Sequence, residues 1–152
     1  MVTRVTYVVG ITVRTTAACP HMRGAILDTT SGLLVRTFQH RANAGQDVDQ
    51  LHEIAQDLES ELAAQAVSAL VIWEAGFNRA AGLTAPVKNR LRAEGVCVAV
   101  ARDVIETVAV LDVNALAHAL GRPSKTVVDA GEALTQGVFG EAATAALAAA
   151  TL

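Results

Sequence analysis

From Val5 to Val13 the chain is apolar and β-branched almost without a break (VTYVVGITV), which predicts a strand buried on both faces. Residues 22–28 and 33–39 flank Asp28-Thr-Thr-Ser-Gly32. Gly32 supplies a positive φ there and Asp28 and Ser31 supply local side-chain bonds, so these segments predict a hairpin. The three strands together predict an antiparallel meander, with Asp28 as a turn former. The period then changes. Leu51, Ile54, Leu58 and Leu62 follow at helical spacing behind Asp47 and Gln50, which resemble a capping box. The outer face of that helix carries Asp49, Glu53, Asp57, Glu59 and Glu61 with no Lys or Arg, a solvated acidic face that would repel phosphate. VSALVIW at 67–73 predicts a fourth strand, closed by Glu74-Ala-Gly76. Residues 84–94 predict a helix with Pro86 in its first turn and Gly95 at its end, and VCVAVA at 96–101 predicts a fifth strand. Two readings stay open for 104–111: Asp103 and Glu106 cap a helix, or VIETVAVL runs extended. A helix near Val113–Leu120 follows, then the break Gly121-Arg-Pro-Ser124. A last helical stretch reaches Leu152, with interruptions at Gly137 and Gly140 as one possibility.

The element order is therefore β-β-β-α-β-α-β-α. It predicts an α/β fold with a mixed five-stranded sheet and helices on both faces. Composition narrows the class. A chain of 152 residues is expected to form a single domain over 1–152. With 52% hydrophobic but only 3% aromatic residues, its core must be built from Val, Leu, Ile and Ala. No apolar run reaches the roughly 20 residues of a membrane span, so no membrane partner is expected. Cys19 and Cys97 form no metal-ligand pattern and fit a reduced, cytoplasmic setting. His21, His40, His52 and His118 likewise have no ligand spacing and read as structural or exposed. The net charge of −3 argues against a protein held to nucleic acid by overall charge, although segregated charge can still serve.

The candidate chemistry lies late in the chain. In Ser124–Leu134, SKTVVDAGEAL, Asp129 and Glu132 stand three residues apart on one helical face. The same pattern also reads as a capping box. Glu74, at the end of the fourth predicted strand, is a third carboxylate. Acids delivered by a strand end and a helix suit magnesium, which takes hard oxygen ligands. In two-metal hydrolysis of a phosphodiester, such acids hold ions about 3.5–4 Å apart. The first strand offers only Thr12 at the corresponding place, a neutral hydroxyl that serves magnesium poorly.

Four segments resemble the RuvC-type Holliday-junction resolvases, within the ribonuclease H-like fold. They are VVGIT at 8–12, IWEAGFNR at 72–79, ARDVIETVAV at 101–110 and ALAHALGRPSKTVVDAGEAL at 115–134. The resemblance implies a magnesium-dependent endodeoxyribonuclease acting on branched DNA as a homodimer. On it, Glu74 matches the strand-end catalytic acid, and Asp129 and Glu132 match the paired acids of the final helix as metal ligands. Thr12 takes the position of the first metal-ligating Asp. The implied DNA contacts are Arg79, Lys88, Arg90, Arg92, Arg122 and Lys125. The chain departs from the pattern at Thr12 and again after Thr107, where Val110, Leu111 and Asp112 replace a glycine and a lysine. A scaffold retaining DNA binding with cleavage impaired or absent is therefore expected. A non-enzymatic interaction protein of the same fold is the alternative.

Overall fold

The computed structural model describes residues 5–16, 19–76 and 80–152. Strands β1 (Tyr7–Thr16), β2 (Cys19–Asp28) and β3 (Leu33–Arg41) form the expected antiparallel meander. Its turn is built as the sequence suggests: Thr30 and Ser31 donate backbone N–H groups to Asp28 Oδ1 at 2.8 and 3.3 Å, and Gly32 has φ +73°. Helix α1 (Asp47–Ala63) leads to β4 (Val67–Trp73), which runs parallel to β1. Helix α2 (Ala85–Val104) leads to β5 (Thr107–Leu111), parallel to β4. The sheet order is β3-β2-β1-β4-β5, so β1 lies at the centre. Helix α3 (Val113–Leu120), the single turn α4 (Asp129–Glu132), a 3₁₀ turn at Gly137–Phe139 and α5 (Gly140–Ala149) complete the chain.

Alternation along β1 divides the core into two layers. Val9, Ile11 and Val13 point towards Ile54, Leu58 and Leu62 of α1 and Cys97 and Ala101 of α2. Val8 points the other way, with Ala25 and Leu27 of β2, towards α5 and Leu116 of α3. On that second face α5 lies almost against the β1 backbone. A Cβ placed on Gly10 would stand 2.7 Å from the carbonyl carbon of Ala145, and nearer still to Ala142 O and Ala146 N. Only glycine on the strand and alanines on the helix permit this approach. Ala142, Ala143, Ala145, Ala146 and Ala148 are accordingly all buried.

Several expectations need correction. Residues 96–101 are not a strand but the second half of α2, and the fifth strand falls at Thr107–Leu111, the extended reading of that region. The β-branched run looked strand-like, yet Ala93, Glu94, Cys97 and Ala101 are buried at helical spacing, so packing overrides local propensity. Gly95 does not stop the helix; a Cβ there would meet nothing within 4 Å. The Asp47–Gln50 capping box does not form. Gln50 is buried instead, donating from Nε2 to the Asn43 carbonyl at 3.1 Å. The acidic face of α1 is only partly solvated, since Glu61 is paired with Arg36 and lies 2.8 Å from His40 of β3. The last stretch follows its interrupted reading: α4, then the 3₁₀ turn that opens at Gly137 with φ +76°, then α5 from Gly140.

Candidate functional site

Parallel pairing of β1 and β4 brings their carboxyl ends together, with Thr12 opposite Trp73. Ligand sites in α/β sheets form outside such ends. Here a cleft of about 380 Å³ opens between Thr12, Arg14, Trp73, Gly76, Arg90 and Glu141. Thr12 is 5% exposed at its floor. The seating of α5 against Gly10 carries Glu141, in the first turn of α5, to the rim, where it forms an ion pair with Arg14. On the opposite side the Thr15 hydroxyl donates to the Pro86 carbonyl at 3.1 Å and ties the end of β1 to the start of α2.

Helix α2 contributes Arg90 at the cleft wall and, one turn on, the buried Glu94. Arg90 donates from Nη2 to the Ala75 carbonyl at 3.0 Å, which fixes the chain just after β4. Its Nε lies 3.8 Å from Glu94 Oε1, too far for a hydrogen bond, and both atoms are buried without a hydrogen-bond partner. Burial pushes the Glu94 carboxyl up to about 7, with Glu74 adding to the effect; Arg90 and a backbone bond from Ala75 oppose it. Burial likewise pushes the Cys97 thiol up to about 12, which makes it an inert core residue.

The candidate residues disperse over this surface. Glu74 follows β4, exposed, its N–H donating to the Leu111 carbonyl at 2.8 Å. Asp129 and Glu132 are exposed on α4. Glu132 borders a second depression of about 260 Å³, shared with Arg14, Arg23 and Glu141. Among the described residues, no group of three or more His, Cys, Asp and Glu side chains is placed to hold a metal ion. A neutral Thr12 and a Glu141 already paired with arginine do not fit a pair of magnesium ions, which needs several ionised oxygens converging on one point. Of the candidate DNA contacts, Arg90 lines the cleft. Arg92 lies 3.7 Å from Asp47 of α1. Lys88, Arg122 and Lys125 are exposed, and Arg79 falls outside the described residues.

Two features escaped the sequence reading. One is Glu141, whose spacing to Thr144 repeats the three-residue interval in the final helix. Thr144 is buried, accepting from Gly131 N at 3.1 Å and donating to Gly140 O at 2.9 Å, so its hydroxyl locks α4 onto α5. The other is a row of basic residues across three strands. Register sets Arg14 beside His21 and His21 beside Arg41, with Arg23 two residues along β2. Only the strand pairing reveals it, because these residues are scattered in sequence.

No family model matches the sequence, and no curated protein matches it either. Solved structures do. The chain is similar to Thermus thermophilus RuvC in complex with Holliday junction substrate, with TM-score 0.72 and 16% identity, over 96% of this chain and 93% of that one. It is also similar to a second Thermus thermophilus RuvC structure, with TM-score 0.69 and 13% identity, over 95% and 93% of the two chains. The fold is thus RuvC-like, an α/β fold of the ribonuclease H-like kind.

Proposed function

We propose that this protein binds branched or structured DNA at the carboxyl-end cleft and does not cleave it, or cleaves it poorly. The observation carrying this reading is the pairing of a neutral, buried Thr12 with a Glu141 held by Arg14, in a cleft that keeps Arg90 at its wall. Hydrolysis of a phosphodiester needs a nucleophile generated and a leaving oxygen stabilised. The cleft supplies hydroxyls and guanidinium groups, which bind phosphate oxygens but generate no nucleophile by themselves. The likeness to a RuvC structure that holds a Holliday junction supports branched DNA as the ligand class. Magnesium belongs to the reading only as an accessory of DNA binding, and a homodimer as the expected assembly.

The test is a labelled four-way junction with Mg²⁺ or Mn²⁺, scored for both retention and scission. Retention at about 50 mM salt without strand scission is the expected result. Scission by the unaltered protein would refute the loss of cleavage. Failure to retain the junction would leave the second reading, an interaction scaffold of the same fold, which the acidic balance of −3 favours.

A further inference from the structure

The sequence is acidic overall, but the charge is segregated by the sheet. Six of the fifteen Asp and Glu residues lie on α1, which packs on the Ile11 face. The opposite face, beyond the end of α5, carries the basic row. Cross-strand partners project to the same side, so Arg14, His21 and Arg41 stand abreast, while Thr12, Arg23 and Gln39 form the next rank. Arg14 and Arg41 are exposed. Arg41 is anchored by a bond from Nη2 to the Thr16 carbonyl at 3.3 Å, and Arg23 Nε is buried with no hydrogen-bond partner.

We propose that this strand-end row is a track for the phosphate backbone of a nucleic acid strand, continuing outwards from the cleft through Arg14. It deepens the DNA-binding reading and rests on it. Strands lie about 4.8 Å apart, so the row spans roughly 10 Å, which is the axial rise of about three phosphates on one strand. Guanidinium groups suit this because they present several donors in a fixed plane. Glu141 and Glu132 border the row on its α-helical side only, and would repel a strand straying from it. The His21 side chain registers the local field: burial first, then Arg23, Arg41 and Arg14, hold its pKa below the ordinary value, against a bond with Gln39. An anionic partner would relieve that repulsion. A strand of nucleic acid is favoured over an acidic peptide because the row is straight, regular and free of apolar side chains.

Junction affinity measured against salt tests the track. Each phosphate contact contributes about −0.9 to the slope of log K against log salt. Arg23→Gln with Arg41→Gln should flatten the slope by about 1.8, whereas Arg36→Gln with Arg102→Gln removes equal charge elsewhere and should leave the slope nearly unchanged. Arg41→Gln alone, at an exposed site, should flatten it by about 0.9 and guards against misfolding of the double variant. Unaltered slopes in a junction-binding protein would overturn the track and leave the proposed function standing. No junction binding by the parent protein would overturn both. Competition by polyglutamate as strong as by single-stranded DNA of equal charge would overturn nucleic acid as the occupant.

Discussion

Substituting Gly10 by Ala tests whether α5 is seated on β1 as closely as the cleft requires. The added methyl would lie 2.7 Å from the Ala145 carbonyl carbon and closer to two other backbone atoms of α5. Carbon contacts are optimal at about 3.5–4.0 Å, so the helix must retreat by roughly 1 Å. No rotamer change relieves the clash, because the obstacles are main-chain atoms. A 1 Å gap forfeits a quarter to a half of the dispersion energy along the face that α5 buries. Overpacking typically costs about 1–3 kcal/mol, and a main-chain clash belongs at the top of that range. We therefore expect about 3 kcal/mol of lost stability in urea unfolding followed by circular dichroism. At about 2–4 °C per kcal/mol that corresponds to roughly 10 °C in Tm. Gly95→Ala is the control: it lies within α2 with nothing within 4 Å of its Cβ, and helix propensity predicts a gain of about 0.5–1 kcal/mol. A Gly10→Ala cost below about 1 kcal/mol, with an unchanged m-value, would refute the seating of α5 and with it the placement of Glu141.

Two further outcomes follow from the charged groups around the cleft. Glu94 has a carboxyl raised from 4.5 to about 7, so the folded state holds its proton where the unfolded state has lost it. Its contribution to stability is complete below pH 4.5 and is lost as pH rises towards 7, at up to about 1.4 kcal/mol per pH unit. Glu94→Gln should flatten the stability profile in that window, and an unchanged profile would show that Glu94 ionises normally. Glu141→Gln should tighten junction binding about fivefold at low salt, because it frees Arg14 and removes a like charge from the phosphate path, an effect of about 1 kcal/mol; weaker binding would show that the ion pair itself builds the DNA surface.

The meander, its turn, α1 and β4 were legible because local chemistry and tertiary packing agree there. Asp28 and Gly32 can make only a tight turn, and the Leu51–Leu62 spacing serves only a helix. The region after Gly95 misled because the two levels conflict. A β-branched run sits in a helix whose inward stripe, Ala93, Glu94, Cys97 and Ala101, looks unremarkable in sequence and even includes an acid. The site was less legible still. Asp129 and Glu132 carry the expected interval on a single turn, whereas the helix seated on β1 begins eight residues after Glu132, at Gly140. What selects Glu141 is the fit of alanines against Gly10, and that emerges only once the helix is docked. The basic row is invisible for a similar reason, since it depends on register between residues 14, 21 and 41.

These placements also bear on why a cleft of this kind would favour binding over hydrolysis. A carboxylate at position 12 would be buried beside Arg23, its β2 partner, and close to the Arg14–Glu141 pair. Without a metal ion to share, burying that charge would be costly, whereas a threonine is neutral and small enough for the same floor. With Thr12 in place, Glu141 is paired with Arg14. An ion pair at such an exposed rim contributes only about 0–1 kcal/mol, so Arg14 can exchange the carboxylate for a phosphate oxygen at little cost. On the proposed reading, the acid left at the rim would serve as a boundary for the anionic strand. On the DNA-binding reading, the same three residues, Thr12, Arg14 and Glu141, would favour holding and releasing a phosphate backbone over activating water.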